Sequence, residues 1–178
     1  QYDINFEIRD DVTLKDYIEM ITLKTAVLIA TSLKMGAIIG ESSDEDAENL
    51  YQFGKHLGIA FQIQDDYLDV YGDIEKVGKR HAGDIYENKK TILYLKALEK
   101  ANPEQKNRLL TLYKSTSQDI KKVNEVIHLF ETLKVPEETL NESYYYQKKA
   151  LEYLSKVVTS KSKEKLTYLS EYLIKRDL

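Results

Sequence analysis

The chain has 178 residues, 42% hydrophobic and 31% charged, a composition that is globular rather than disordered. Its net charge of −4 argues against a general nucleic-acid binder, and the lack of cysteine excludes disulfides and thiolate metal sites. The length fits a single domain over residues 1–178, and no apolar run approaches the roughly 18 residues that span a bilayer, so no transmembrane segment is expected.

A cysteine-free sequence suits the cytoplasm. The first residue is Gln1 rather than Met, with no charged-then-apolar leader behind it, which leaves room for a natural start further upstream.

Two prolines and seven glycines leave few breaks, so the expected class is all-α with long helices. The short alternation from Ile4 to Ile8 has no partner strand. Thr13, with Asp16 three residues on, suits the N-cap of a first helix running to about Gly36 or Gly40. Ser43, followed by Asp44, Glu45 and Asp46, opens a second. Its apolar positions Leu50, Phe53, Leu57, Phe61 and Leu68 carry it to about Tyr71. Gly72 to Gly83 reads as a loop and Asp84 to Ala101 as a third helix.

Asn102-Pro103 marks a stop and restart, with proline at the first helical position. Beyond it, Ile120, Val123, Ile127 and Phe130 share one predicted face; Leu140, Tyr144, Leu151, Leu154 and Val158 share another. A last helix carries Leu166, Leu169 and Leu173. This back half reads as bundle scaffold.

The informative run is Phe61-Gln62-Ile63-Gln64-Asp65-Asp66-Tyr67-Leu68-Asp69. At about 100° per residue, Gln62, Asp65, Asp66 and Asp69 fall within an arc of roughly 100°. Ile59, Ala60, Ile63, Tyr67 and Val70 fill most of the opposite side, and Gly58 leaves room on the acidic side one turn earlier. Like charges one turn apart repel; about 5.5 Å apart at an effective dielectric of ~20 they cost roughly 3 kcal/mol. A hard divalent cation reverses that sign. Magnesium takes one or two protein carboxylates and completes its shell with water and phosphate oxygens, so helical spacing suits a metal–phosphate site better than an all-protein cage. The competing reading is a solvated acidic face. An EF-hand is excluded, because its alternating ligands and central glycine are absent.

Lys24 and Thr25 lie inside Ile21 to Leu33, a segment apolar nearly all round. A lysine there must snorkel, lose its proton or meet an anion. Lys76, Lys79 and Arg80 follow the aspartate helix, and Lys89-Lys90-Thr91 come later. This is not a Walker loop, since five residues separate Gly72 from Gly78 and Arg80 stands where Ser or Thr is required. Asp84 suits either a helix cap or a metal's outer shell. His56, His81 and His128 show no metal-ligand spacing.

Together these segments resemble the trans-isoprenyl diphosphate synthases, the family of farnesyl and geranylgeranyl diphosphate synthases. Phe61 to Asp69 looks like that family's second aspartate-rich motif. Tyr17 to Gly40, with Lys24-Thr25-Ala26, is similar to its Lys-Thr helix, and Gly78-Lys79, Gly83-Asp84-Ile85 and Asn88-Lys89-Lys90-Thr91 resemble its lysine loop.

The resemblance implies an isoprenoid-synthase helical bundle and a Mg2+-dependent homodimer. Such an enzyme condenses isopentenyl diphosphate with an allylic diphosphate. Asp65 would be a direct metal ligand, with Asp66, Asp69 and Asp84 holding the metal's waters. Lys24, Lys79 and Lys89 would bind the allylic diphosphate. Gln62 and Thr25 would face the allylic carbon where positive charge develops, and Phe61 would wall the isopentenyl site. Metal and lysines neutralising the leaving diphosphate require no protein nucleophile.

The family's first aspartate-rich motif and the basic residues near it are missing; Asp10-Asp11 is followed by Val-Thr-Leu-Lys. The chain therefore resembles roughly the latter half of such an enzyme, with one metal-binding wall, and is expected to be inactive alone. His81-Ala82 departs from the small or apolar residues usual in the loop. Two rivals are a non-catalytic helical subunit, which predicts eroded aspartates and lysines, and a class I terpene cyclase. The cyclase predicts an Asn/Asp–Ser/Thr–Glu pattern after Asp69 that does not occur.

Overall fold

The computed structural model describes Phe6, Arg9, residues 11–73 and residues 81–175; among the described residues there are helices and turns and no strand. The expected all-α class holds. Helix α1 (Leu14–Ile21) opens on the predicted cap. Asp16 Oδ2 accepts the Thr13 N–H at 2.9 Å and the Thr13 hydroxyl at 2.7 Å, while Thr13 Oγ1 accepts the Asp16 N–H at 3.2 Å. Reciprocal bonding of this kind satisfies two donors that a helix start leaves orphaned.

Where the sequence predicts one uninterrupted helix, the structure inserts a π-helical segment, Thr22–Ala26, before α2 (Val27–Ile39). The Val27 N–H donates five residues back to the Thr22 carbonyl, and the Thr22 hydroxyl donates to the Ile18 carbonyl at 2.6 Å. The π-helical segment contains the Lys24-Thr25 pair. Such segments are rare and gather at functional sites.

Helix α3 (Asp44–Tyr71) has 28 residues. Ser43 Oγ accepts the Asp46 N–H at 3.1 Å, and Asp44, Glu45 and Asp46 occupy the first turn, where the helix dipole favours negative charge.

The expected single helix from Asp84 to Ala101 is corrected. It divides into a one-turn helix, α4 (Gly83–Tyr86), and α5 (Ile92–Lys100), with Asn88 between them at φ 57°. Asparagine tolerates that left-handed conformation better than most residues. Its side chain gains partners there: Nδ2 donates to the Ser115 carbonyl at 3.1 Å and Oδ1 accepts from Lys122 Nζ at 2.6 Å. Local propensity for a continuous helix loses to this tertiary network.

Helix α6 (Pro103–Lys114) starts as predicted, with Asn102 and Gln105 forming a capping box and proline at the first turn. Helices α7 (Ile120–Thr132), α8 (Val135–Lys156) and α9 (Lys161–Lys175) follow. Two predicted faces need correction. In α7 the buried stripe is Lys122, Val123, Val126 and Phe130, and Ile120 is exposed. In α8 it is Val135, Thr139, Ser143, Ala150 and Leu154, while Tyr144 is exposed, and Val158 lies beyond the helix and is exposed too. Small hydroxyl residues take core positions because their oxygens find acceptors. Thr139 donates to Val135 O at 2.9 Å and Ser143 to Ala60 O at 3.1 Å.

The described residues form two compact units. One comprises the chain up to Tyr17 together with Asp65–Leu140, the other Ile18–Gln64 together with the residues from Asn141 onward. In the second, Phe53, Leu57, Ala150, Leu154 and Val157 form a core cluster. Gly58 and Gly54 let α3 approach its neighbour closely there. A Cβ on Gly58 would lie 2.6 Å from Ala26 Cα, and one on Gly54 2.9 Å from Ala30 Cα. The space that the sequence leaves at Gly58 is thus filled by backbone.

Leu14–Ile39 is a 26-residue helical stretch long and apolar enough to cross a membrane by length and composition alone, which the sequence does not lead one to expect. Ala26 and Ala30 pack closely against Gly58 and Gly54 of α3, Lys24 lies inside the stretch, and Leu23, Leu28, Met35, Ile38 and Ile39 are exposed.

Candidate active site

Along α3 the aspartates do not form one uniform face. Gln62, Asp65 and Asp69 are half-buried, whereas Asp66 is buried along with Ile59, Ala60, Ile63, Leu68 and Val70. In the first unit the Tyr17 phenol, itself fully enclosed, donates to Asp66 Oδ2 at 2.7 Å. Burial and then the Asp66 charge hold the Tyr17 phenol well above its ordinary pKa, so it stays a neutral donor.

Asp69 reaches across to the next element. Its Oδ2 accepts the Asp84 N–H at 3.0 Å, and its carbonyl accepts the Ala82 N–H at 2.7 Å. The sequence offers Asp84 as a possible cap; instead the Asp69 carboxylate caps α4, whose own N-cap residue, Ala82, carries no capping side chain. Burial and the nearby Asp84 charge push Asp69 up to about 6, against the opposing Asp84 N–H and Lys89. The Asp84 carboxylate accepts from Lys89 Nζ at 2.9 Å, and Lys89 also pairs with Glu87 at 2.8 Å. Burial alone would lower the Lys89 pKa, but its bonds to Glu87 and Asp84 outweigh it and the net shift is upward.

In the second unit, Thr25 Oγ1 donates to Gln62 Oε1 at 3.0 Å, joining the π-helical segment to α3. Lys24 is exposed and Phe61 half-buried. Lys79, with Lys76 and Arg80, lies outside the described residues. Among the described residues no three acidic or histidine side chains converge as a ready-made metal cage.

Tyr17 and Lys122 are missed by pattern reading. Tyr17 counts as one more apolar position of α1. Lys122 does leave a trace: it stands four residues before Val126, on the stripe that Val126 and Phe130 define. Its Nζ donates to Asn88 Oδ1 and to the Ser115 carbonyl at 2.9 Å, and burial lowers its pKa.

The family model described as Polyprenyl synthetase matches residues 1–130. A short chain isoprenyl diphosphate synthase of Methanothermobacter thermautotrophicus is 39% identical over 98% of this chain. The chain belongs to the polyprenyl synthetase family. Among other family members, the geranylgeranyl diphosphate synthase of Saccharolobus solfataricus is 37% identical over 98% of the chain. A crystal structure of geranylgeranyl pyrophosphate synthetase from Pyrococcus horikoshii matches 98% of the chain at TM-score 0.90 and 34% identity. The chain spans about half the length of these relatives: 53% of each of these three.

Proposed function

We propose that this chain supplies the aspartate-and-lysine half of a prenyl diphosphate synthase, which condenses isopentenyl diphosphate with an allylic diphosphate. The observation that carries this is the acidic group of α3 and α4 with Lys89 beside it, in a chain of this family. The donor set fits magnesium. Burial first, and then the Asp84 charge, push Asp69 up to about 6, and a cation between these carboxylates would relieve the second of these. With no protein cage among the described residues, the ion would draw further ligands from water and phosphate.

In this proposal half-exposed Asp65 binds the metal directly, and Asp66, Asp69 and Asp84 hold its waters. Bound magnesium would neutralise charge on the departing diphosphate. Lys24, Lys79 and Lys89 take diphosphate oxygens, Lys89 by sharing or leaving its pairs with Asp84 and Glu87. Thr25 and Gln62, bonded to each other, present oxygens toward the allylic carbon, and Phe61 walls the isopentenyl site. Pre-aimed oxygens act where positive charge develops and cost no reorganisation at that moment. A single synthase domain, a homodimer and a cytoplasmic location belong to the same proposal.

The relatives are synthases, and no feature favours a terpene cyclase or a non-catalytic subunit. Carboxylates on one side of a diphosphate leave it half gripped, so turnover is expected from the chain joined to the remaining half of such an enzyme, not from these residues alone. The test is coupling of labelled isopentenyl diphosphate to an allylic primer by the joined enzyme. Loss of product in excess chelator, and a fall of about 10²–10³-fold or more in kcat for Asp65→Ala with unchanged helicity, is the expected result. Undiminished product in either arm rejects the metal role.

A further inference from the structure

We infer that Tyr17 is a positioning residue for metal binding, acting through Asp66; this rests on the metal role proposed above. Asp66 is a carboxylate with only 6% of its surface exposed, and a buried anion is costly unless donors face it. Tyr17, 1% exposed, faces it with the phenol hydroxyl at 2.7 Å from Oδ2. The chemistry of that donor matters. A phenol fixes the carboxylate oxygen in place and adds no positive charge of its own.

Tyr17 is itself held. Its N–H donates to the Thr13 carbonyl at 3.0 Å, in the turn that the Thr13–Asp16 cap closes, and Arg9 lies 3.8 Å from the Asp16 carboxylate. Lys90, next to Lys89, donates in turn to the Arg9 carbonyl. The start of α1 thus serves the acidic group as a rigid bracket whose working end is one hydroxyl. Asp65 and Asp66 are adjacent in sequence yet unlike in setting: one half-exposed, the other buried and oriented.

The experiment measures binding of Mn2+ to the whole chain in the presence of inorganic diphosphate, from the loss of the free-ion spin-resonance signal. Tyr17→Phe, Asp66→Asn, the double variant and Asp65→Ala are compared, with helicity and melting followed for each. Phe keeps the ring and removes only the donor. Tyr17→Phe is expected to weaken Mn2+ binding roughly 10-fold, the low end for outer partners of metal sites. In the Asp66→Asn background the same change should cost nothing further, because the group it acts through is already altered.

Wild-type affinity in Tyr17→Phe, or a full additional loss in the double variant, overturns the inference and leaves the metal role standing. Should Tyr17→Phe alone fail to fold, the comparison of Asp66→Asn with the double variant decides, since the buried charge is gone from both: equal affinity supports the inference and unequal affinity overturns it. Wild-type binding that is absent, or indifferent to Asp65→Ala and Asp66→Asn, removes the metal role itself and this inference with it.

Discussion

The two units position their polar groups by different means. Around Asp66, Asp69 and Asp84 the means is hydrogen bonding: a phenol on Asp66, a backbone N–H on Asp69, a lysine on Asp84. Around Thr25 and Gln62 close backbone packing contributes: Gly58 and Gly54 admit the backbone of Ala26 and Ala30, and a hydrogen bond joins Thr25 to Gln62. The contrast has an energetic cause. Half-buried anions need donors to offset lost hydration, whereas a hydroxyl and an amide need only to be brought within reach of each other.

The contrast can be broken at four places. The largest effect is expected at the apolar core of the second unit. Phe53 has no exposed surface, so Phe53→Ala should cost about 3–5 kcal/mol in heat or urea unfolding. A much smaller loss would mean that the steric unit is not tightly packed, and the contrast would lose its basis.

Gly58→Ala comes next. The added Cβ would meet the Ala26 Cα, a backbone atom that cannot swing aside, so a loss of about 1–3 kcal/mol is expected. If the π-helical segment is held by this approach, the variant should also disturb the Thr25 environment, seen as shifted amide resonances at residues 22–26. Unchanged stability would show that the helices separate cheaply.

Lys122→Met probes the hydrogen-bonded unit in the same way. Methionine keeps much of the stem and removes the donor that Asn88 Oδ1 and the Ser115 carbonyl share, at an expected cost of about 1–3 kcal/mol. Hydrogen exchange should quicken at 87–91 before the rest of that unit. Uniform quickening would argue that Lys122 serves global packing rather than the Asn88 turn.

The smallest effect is a pH slope. Asp69 titrates at about 6 in the folded chain against an ordinary value of 3.8. The folded state therefore keeps a proton that the unfolded state has already released between those values. Stability present below pH about 4 is lost as pH rises through about 6. Asp69→Asn, whose amide oxygen can still accept the Asp84 N–H, should flatten this part of the metal-free stability curve measured in excess chelator. An unchanged slope would assign it to another group.

Much of this was legible in residue order, because caps, dipoles and periodicity are local. Thr13 with Asp16, Ser43, and Asn102 with Gln105 start helices where their side chains can reach nearby N–H groups. The acidic stripe is likewise a property of one helix and its repeat. Lys24, Thr25, Phe61, Gln62, Asp65, Asp66, Asp69, Lys79, Asp84 and Lys89 could be named as candidates from spacing and resemblance alone.

Contacts between residues far apart in the chain were not legible. Asp66 is buried and meets a phenol forty-nine residues away, whereas the adjacent Asp65 is half-exposed. Asp69 caps a helix fifteen residues on. Asn88 breaks the expected helix because Lys122 and Ser115 give its side chain more than a continued backbone ladder would. The sequence by itself determined the all-α class, the main helix starts and which residue types share a helix face, since these depend on interactions within a turn or two. Only the tertiary structure decided which carboxylate is buried, which one caps and where the helix bulges, because burial and partner choice arise when distant segments pack and desolvate one another.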